Sequence, residues 1–388
     1  MITRLQVRNF RSLRDLEIRP GTNNVLVGPN AAGKSNILEV LRFLTHIGLV
    51  GLNKAFLNRN GYPEVSWKGK EGGPIYICVS MDALLESGGV REAEYEIEIE
   101  GTSAGLISVR RERLTLGHEG RKVNLIDLAM GHGKINQVDG SPAFGPSGNP
   151  AQSALEFNVP NWAGSLFKQH LGSWQFHRLV PGLMKQANPA SRAPFLNEHG
   201  DNLGAWLATL KTSYFESFRR IQQVAKDAFP GLQELVPELT AFQTTFLSSR
   251  EEYLTKPVSV WDLADGELCF VALASLILAP PELGAPLHCV EEPENHLHPR
   301  LLSTLVELLR QRQATLAEED AVPAQVFVTT HSPHLVDQFQ LDELVVVDKV
   351  EGQTRCARPS DKAHLRELLE REELGLGDLW YSGALGGV

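Results

Sequence analysis

A glycine-rich octapeptide constrains this chain more than any other stretch. Residues 28–35 read Gly-Pro-Asn-Ala-Ala-Gly-Lys-Ser and fit G-x-x-x-x-G-K-[ST], the pattern of a phosphate-binding loop. The apolar run Asn24–Val27 before it predicts a buried strand, and the apolar spacing after it predicts a helix over 36–47. This arrangement directs backbone N–H groups and the positive end of a helix at one point, which suits a polyphosphate. Lys34 is expected to reach the β- and γ-phosphates, and Ser35 to bind Mg²⁺. The alternative is a glycine-rich turn with a solvated lysine. It is disfavoured because a predicted strand precedes the motif and a predicted helix follows it.

The composition is that of a soluble globular protein. Apolar residues make up 42% of the 388 residues, enough for a large core. The net charge of −10 excludes a wholly basic nucleic-acid coat, although a local basic groove stays open.

The compartment is expected to be the cytoplasm. The N-terminus alternates like a strand and has no signal-peptide pattern, and the longest apolar run, Leu268–Pro280, is too short for a bilayer. No membrane anchor is therefore expected. Scattered cysteines without metal-ligand spacing predict core packing in a reducing environment, at Cys78, Cys269, Cys289 and Cys356.

The first 180 residues predict an N-terminal lobe that holds the phosphate-binding loop and antiparallel strands. Residues 1–27 alternate as two strands and a turn, and residues 50–72 predict a loop. Tyr95–Glu100 alternates strictly, as a half-buried antiparallel strand does. Residues 131–152 are dense in Gly, Pro, Asn and Ser and predict a mobile loop. Further strands are predicted over Ile75–Met81 and Leu106–Leu116.

Two further segments complete the predicted organisation. Residues 181–250 predict a helical insertion, with a second loop near 185–202 and one long helix over Leu203–Phe229. Residues 251–388 predict a C-terminal α/β lobe. Its elements are a helix over Leu268–Leu278, a strand over Leu287–Val290, a helix over Pro299–Leu316 and a strand over Gln325–Thr329.

An apolar strand that ends in two carboxylates supplies the second half of a nucleotide-hydrolysing site. Leu287–Val290 is followed by Glu291 and Glu292. Glu291 is expected to hold Mg²⁺ through water, and Glu292 to polarise the water that attacks a γ-phosphate. The alternative, acids at a solvated strand end, is disfavoured because the same chain contains a phosphate-binding loop.

Two other short motifs carry candidate chemistry. In Leu263–Glu267, the Gly266 backbone can approach a phosphate and the following helix adds positive charge, although a simple N-cap by Asp265 fits equally well. The strand over Gln325–Thr329 runs towards His331, which could hydrogen-bond a γ-phosphate or attacking water. A lone histidine is more often structural, but its place at a strand end favours a catalytic role.

The order of these motifs resembles the ABC-type ATPase heads of the SMC, RecF and OLD class, in particular small RecF-like ATPases of the AAA-domain group. The segment Glu291–Pro299 is similar to E-E-P-E-x-x-L-H-P, and Val7–Leu13 to the opening strand of that class. The ends, about 1–50 and 255–345, carry the resemblance strongly and the middle weakly. It implies an α/β ABC-type head with an antiparallel β lobe and a helical insertion.

The resemblance also implies a mechanism. Two protomers would sandwich ATP, with Ala264, Asp265 and Gly266 of one capping the phosphates at Lys34 of the other. The nucleotide residues so expected are Asn9, Arg11, Asn30, Gly33, Lys34, Ser35 and Asn36.

Three departures from the pattern bear on this mechanism. Ala264 stands where many signatures have serine, Glu291 replaces the commoner aspartate, and Ala31 replaces the more usual glycine. The first removes a hydroxyl contact to the γ-phosphate. Gln152 is a weak candidate for the Q-loop residue.

The leading hypothesis is a cytoplasmic ATPase that forms an ATP-dependent homodimer and acts on nucleic acid or a partner protein, in DNA repair or antiviral defence. The alternative is a nucleotide-gated scaffold that restrains an effector such as a toxin or nuclease. A transporter subunit is disfavoured by the signature and the long middle segment. An OLD-type nuclease is disfavoured because only 57 residues follow His331. DNA or RNA binding stays open, on arginine clusters at Arg110, Arg111, Arg113, Arg219 and Arg220.

Overall fold

The computed structural model describes residues 1–69, 72–85, 89–102, 105–118, 120–319, 321–359 and 375–383. They form two compact units. The first comprises Met1–Trp174, Gln325–Phe327 and the described residues from Leu341 onwards. The second comprises Gln175–Ala324 and Val328–Gln340.

The described elements follow in chain order. The strands are β1 (Ile2–Phe10), β2 (Leu13–Ile18), β3 (Asn23–Val27), β4 (Ile75–Leu85), β5 (Gly89–Gly101), β6 (Ile107–His118), β7 (Arg121–Ala129), β8 (His132–Ile135), β9 (Gln175–His177), β10 (Asn188–Pro189), β11 (Leu232–Leu239), β12 (Thr244–Glu251), β13 (Val258–Ser259), β14 (Leu287–Glu291), β15 (Gln325–Thr330), β16 (Leu344–Val350) and β17 (Gln353–Ala357). The α-helices are α1 (Lys34–Val50), α2 (Leu52–Leu57), α3 (Tyr62–Val65), α4 (Ala163–Gly172), α5 (Pro181–Met184), α6 (Leu203–Ser213), α7 (Phe215–Ala228), α8 (Asp265–Ile277), α9 (Pro299–Glu318), α10 (Pro333–Val336) and α11 (Leu376–Tyr381). Single 3₁₀ turns cover Ala154–Glu156, Pro281–Leu283 and Leu341–Glu343.

A seven-stranded antiparallel sheet dominates the first unit, in the order β2-β1-β4-β5-β6-β7-β8. Its β5 strand shows the predicted alternation, because Tyr95, Ile97 and Ile99 are buried while the glutamates between them are partly exposed. Side chains of successive strand residues point to opposite faces, so the sheet buries one face and leaves the other polar.

A buried carboxylate fixes the chain that follows the predicted loop at 131–152. Glu112 on β6 accepts hydrogen bonds from Tyr95 Oη (2.9 Å), Ser153 Oγ (2.7 Å) and Ala154 N (2.9 Å). Burial raises the pKa of the Glu112 carboxyl. These bonds tie the segment after Gln152 to the antiparallel sheet.

The phosphate-binding loop follows a strand whose five residues are all buried. This strand, β3, pairs in parallel with β16, which pairs antiparallel with β17. Buried positions such as Ile37, Leu41 and Leu44 run along α1 after the loop. The predicted strand–loop–helix is therefore present.

The second unit contains helices and two separate sets of strands. Strands β10, β12 and β11 form an antiparallel sheet in that order, β13 also pairs with β12, and β9 pairs in parallel with β14. Helix α8 is buried along most of its length, and its Ser275 Oγ accepts a hydrogen bond from Trp206 Nε1 at 2.9 Å.

Three details of the sequence prediction were wrong. The helix expected over Leu203–Phe229 is two helices, α6 and α7, because Tyr214 leaves the helical region with φ −139° and ψ 54°. Helices α2 and α3 lie in the segment expected to be a loop, and β8 lies in the loop predicted over 131–152. The segment 181–250, whose place as a separate insertion stays a prediction, contains strands β10, β11 and β12 as well as helices.

None of the four cysteines, all of which the structure describes, forms a disulfide; Cys78, Cys269 and Cys289 are buried and Cys356 is half-buried. Among the residues that the structure describes, every helix is too short or too polar to cross a bilayer.

Candidate functional site

The phosphate-binding loop adopts a conformation that its sequence requires. A Cβ on Gly28 would lie 2.0 Å from the carbonyl oxygen of Val347, and one on Gly33, where φ is 108°, would lie 2.0 Å from Thr354 Oγ1. Only glycine fits positions of this kind. Ala31, where many loops have glycine, has a left-handed φ of 61°, a region that costs a non-glycine residue about 1–2 kcal/mol.

The helix that follows the loop presents its N-terminus to the loop. Helix α1 begins at Lys34, no side chain caps it, and its first turn contains no acidic residue. Among the described residues, the N–H groups of Gly33 and Ser35 have no hydrogen-bond acceptor. The buried Lys34 donates from Nζ to the carbonyl oxygens of Gly28 (2.8 Å) and Pro29 (3.0 Å). The loop therefore offers an anion the N–H donors and the cation that a polyphosphate needs.

The predicted residues Arg11 and Asn36 lie together beside this loop. Arg11 Nη1 donates to Asn36 Oδ1 at 3.4 Å, and Asn36 Nδ2 donates to Ser12 Oγ at 2.7 Å. Ser12 Oγ is 2.6 Å from Thr354 Oγ1, which donates to the carbonyl oxygen of Ala32. An open groove of about 500 Å³ adjoins Arg11 and Ser12, and its other walls include Trp67, Lys68, Lys349 and Glu351.

Asn9 lies elsewhere. Its side-chain amide donates to the carbonyl oxygen of Pro74 at 3.0 Å. Asn9 and Arg11 both have left-handed φ values, 56° and 48°, and the backbone there bonds to Trp67 and Val65. The side-chain contact of Asn9 thus supports the backbone of the first unit and does not involve the phosphate-binding loop.

In the second unit, β14 ends at Glu291 and the chain turns at Glu292. Glu292 has a left-handed φ of 47°, and its N–H donates to the carbonyl oxygen of Thr329 at 2.9 Å. Its Oε2 accepts a hydrogen bond from Asn295 Nδ2 at 3.0 Å, and its Oε1 lies 3.6 Å from His331 Nε2. The structure thus brings together the two residues predicted to be catalytic.

Sequence reasoning missed two residues of this cluster. Glu294 Oε1 accepts from Thr330 Oγ1 and from the N–H of His331, both at 2.7 Å, and Asn295 contacts Glu292. Two sequence signals were available: both residues directly follow a strand that ends in acids, and Glu294 is the last glutamate of the E-E-P-E motif.

The signature segment begins helix α8. Ala264 occupies the N-cap without a side-chain bond, and its N–H donates to Glu267 Oε2 at 3.0 Å. Asp265 is the first helical residue and does not cap the helix, so the N-cap interpretation of Asp265 was wrong. A Cβ on Gly266 would lie 2.7 Å from the carbonyl oxygen of His296. Glycine is therefore required here by this chain's own backbone, whatever else approaches it.

Asp265 has basic neighbours that the sequence did not reveal. Lys185 Nζ lies 2.8 Å from Asp265 Oδ1, and His296 Nδ1 lies 3.9 Å from Asp265 Oδ2. The hydrogen bond from Lys185 holds the pKa of the Asp265 carboxyl below its usual value. The negative charge at the start of α8 is thus balanced from the loop after α5.

Family comparisons agree with these observations. Residues 1–64 match a family described as "AAA ATPase domain", and residues 146–337 match one described as "AAA domain, putative AbiEii toxin, Type IV TA system". The first match includes the phosphate-binding loop, and the second includes the signature, both acids and His331.

An OLD nuclease and two SMC heads are similar to most of this chain. An OLD nuclease of Thermus scotoductus is 24% identical over 399 residues, covering 97% of this chain and 68% of that protein. An SMC head bound to the C-terminal winged-helix domain of ScpA aligns with 12% identity and a TM-score of 0.56, covering 92% of this chain and 97% of that one. A Pyrococcus furiosus SMC head bound to a ScpA domain aligns with 12% identity and a TM-score of 0.54, covering 96% and 99%. The fold is that of an ABC-type ATPase head. Two segments of the chain match AAA ATPase domain families, and most of the chain is similar to an OLD nuclease.

Proposed function

We propose that this protein binds and hydrolyses ATP with Mg²⁺. The observation that carries the proposal is the phosphate-binding loop, where a buried lysine and an uncapped helix N-terminus flank unbonded N–H groups. In this proposal, Gly33 and Ser35 donate backbone hydrogen bonds to the phosphates, and Lys34 exchanges its bonds to loop carbonyls for bonds to phosphate oxygens. Asn30 and Asn36 complete the loop's polar lining.

In this proposal Ser35 and Glu291, which belong to different units, supply oxygen ligands to a magnesium ion. Ser35 offers a hydroxyl oxygen and Glu291 a carboxylate oxygen, which are the hard donors that Mg²⁺ prefers, usually together with water and substrate phosphates. When bound, the ion would neutralise charge on the β- and γ-phosphates. Glutamate has one more methylene than aspartate, so Glu291 reaches further from the end of β14.

Glu292 and His331 perform the chemical step in this proposal. The Glu292 carboxylate orients a water molecule and takes its proton as the water attacks the γ-phosphate. His331, whose Nε2 lies 3.6 Å from Glu292 Oε1, donates a hydrogen bond to the γ-phosphate or holds the same water. Positioning and electrostatics supply most of the catalysis in phosphoryl transfer, so a fixed pair of this kind suits the task.

The test of the proposed function is ATP binding by calorimetry. Lys34→Ala removes the loop's cation and should abolish detectable binding. Lys54→Ala, a change of another lysine in the same unit that lies outside the loop, should bind ATP like the wild type. Equal affinity of wild type and Lys34→Ala would refute the assignment of the site.

We also propose that two heads sandwich ATP. A phosphate-binding loop leaves one side of the γ-phosphate open to water, and the signature Ala264–Gly266 of a second copy is the candidate wall. The motif order supports this arrangement, because it resembles that of ABC-type heads, and the resemblance implies that two protomers sandwich ATP. The start of α8 would face the phosphate. Its first turn carries Asp265 and Glu267, and the charge of Asp265 is balanced by Lys185.

A role on nucleic acid, in repair or antiviral defence, extends this proposal, and the OLD nuclease relative supports it. The arginine clusters support it less. Arg110 lies 3.5 Å from both Glu98 and Glu100, and Arg219 lies 2.7 Å from Glu216. Filter binding at low and high salt, with and without ATP, tests the idea, because phosphate contacts weaken steeply as salt rises.

An effector-restraining scaffold is the alternative to that role. Ala264 supports it, because the signature lacks the hydroxyl that would contact a γ-phosphate. Purification of the protein with its genomic neighbours distinguishes the two roles, since a scaffold should co-elute with an effector protein and show little turnover.

A further inference from the structure

The turn after β14 contains two polar side chains that the proposed chemistry does not use, Glu294 and Asn295. The turn itself is strained and well held. Glu292 has a left-handed φ of 47°, its N–H bonds to Thr329, and the N–H of Asn295 donates to the Glu292 carbonyl oxygen at 3.1 Å. Such a conformation persists only where the surroundings impose it, and it is commonest at functional sites.

Asn295 holds the Glu292 side chain. Its amide Nδ2 donates to Glu292 Oε2 at 3.0 Å, while Oε1 of the same carboxylate faces His331. One oxygen is thereby occupied and the rotamer is fixed, which leaves the other oxygen for His331 and a water molecule. An aspartate in place of Asn295 would have the same shape but no donor at neutral pH.

Glu294 holds the end of β15. A single oxygen, Oε1, accepts from the hydroxyl of the buried Thr330 and from the backbone N–H of His331. Its other oxygen, Oε2, is buried without a hydrogen-bond partner among the described residues. The contact that matters is therefore the acceptor at Oε1, and a glutamine keeps that acceptor.

We propose that Asn295 and Glu294 are positioning residues that fix the Glu292–His331 pair. Asn295 sets the carboxylate and Glu294 sets the backbone that carries the imidazole. The inference rests on the proposed hydrolysis of ATP. Misplacing a catalytic group by about 1 Å can cost roughly 10²-fold in rate, so loss of either contact should lower kcat roughly 10- to 100-fold and leave ATP affinity unchanged.

The first test is Asn295→Asp, compared with Gln223→Glu. In both variants an amide that donates to a carboxylate becomes a second carboxylate, because Gln223 Nε2 donates to Asp227 Oδ1 at 2.8 Å on the exposed surface of α7. We expect Asn295→Asp to have a lower kcat than the wild type and Gln223→Glu to have the wild-type kcat. The two variants should unfold at similar urea midpoints. In a Glu292→Gln background, Asn295→Asp should change the residual rate no further, because its effect acts through Glu292.

The second test compares Glu294→Gln with Glu294→Met. Glutamine retains the oxygen that accepts both hydrogen bonds and should keep the wild-type kcat. Methionine has a similar length but no comparable acceptor, and it should lose roughly tenfold or more. A wild-type kcat in Glu294→Gln would show that this position needs a hydrogen-bond acceptor and not a negative charge.

The inference is overturned on its own if the wild type hydrolyses ATP, Glu292→Gln retains only a low residual rate and Asn295→Asp is fully active. It is also overturned if Asn295→Asp lowers the residual rate equally in the Glu292→Gln background, or if Glu294→Gln is as slow as Glu294→Met. A wild-type protein that binds no ATP overturns the proposed function, and the positioning role with it.

Discussion

The imidazole Nε2 of His331 and the carboxylate Oε1 of Glu292 are separated by 3.6 Å, and about a third of each side chain is exposed. These two residues come from the ends of different strands, β15 and β14. A base and a hydrogen-bonding partner at this distance can act on one water molecule and remain accessible to a ligand.

Removal of His331 tests the pair. His331→Ala should reduce ATP hydrolysis roughly 10²-fold, as loss of a positioned polar group commonly does, with unchanged ATP affinity. His334→Ala is the matched control, because His334 is exposed on α10 three residues away. A phosphate-release assay measures the rates, and wild-type turnover by His331→Ala would contradict the role assigned to it.

Substitution of Glu291 and of Glu292 should impair ATP hydrolysis in different ways. Glu292→Gln should keep ATP binding but lower hydrolysis roughly 10²-fold or more at every Mg²⁺ concentration, since the base is lost. Glu291→Gln should instead raise the Mg²⁺ concentration needed for half-maximal turnover, since a metal ligand is lost. Titration of turnover with Mg²⁺ distinguishes them, and a reversed pattern would exchange the two roles.

Head-to-head association is best tested at Ala264. A side chain at Gly266 would collide with this chain's own His296 carbonyl, so Gly266→Asp cannot isolate the interface. Ala264 is exposed at the N-cap of α8, where both aspartate and asparagine are favourable. In Glu292→Gln, Mg-ATP should raise the mass measured by light scattering. Ala264→Asn should preserve this rise and Ala264→Asp should abolish it, because a carboxylate repels the partner's phosphates. Many signatures have serine at the position of Ala264, and its hydroxyl contacts the γ-phosphate. We therefore expect Ala264→Ser to strengthen association.

Equal masses for all variants with and without Mg-ATP would argue against the shared site. A dimer formed elsewhere on the surface must first be excluded. Cross-linking between the signature of one copy and the phosphate-binding loop of another would do so.

Stability should depend on pH through His288. Burial lowers the pKa of this β14 imidazole to about 4, and its ring stacks on His177 with centroids 6.0 Å apart. Between about pH 6.5 and 4, His288 is protonated in the unfolded chain and neutral in the folded protein. The contribution of neutral His288 to the free energy of unfolding is therefore fully present above pH 6.5 and is lost as the pH falls towards 4.

The measurement is urea unfolding of wild type and His288→Phe between pH 7.5 and 4.5. Phenylalanine keeps an aromatic ring but cannot titrate, and the other titrating groups are common to both proteins. The free energy of unfolding of the wild type should fall relative to the variant as the pH is lowered. Parallel curves would show that His288 does not titrate with folding.

Local patterns allowed much of the fold and part of the site to be predicted. The Gly28–Ser35 loop, the buried β3, the alternation of β5 and the acids that end β14 are each specified by a few consecutive residues, because their periodicity and glycine requirements are local. The ABC-type head was also recognisable from the order of these motifs. The three-segment organisation and the roles of the site residues stay predictions.

Other features depend on contacts between distant parts of the chain. The break at Tyr214 was missed because the apolar spacing continues through it, and only the backbone conformation ends α6. The Lys185–Asp265 ion pair joins residues eighty positions apart, and no periodicity reports such a contact.

What the sequence alone determined is therefore the identity of the phosphate-binding loop and of the residues that end each strand, since these follow from short-range spacing. Only the tertiary structure decided that Asn295 holds Glu292 and that Glu294 holds His331. The reason is physical: hydrogen bonds depend on distance and angle between atoms, and folding, which brings the end of β14 beside that of β15, sets both.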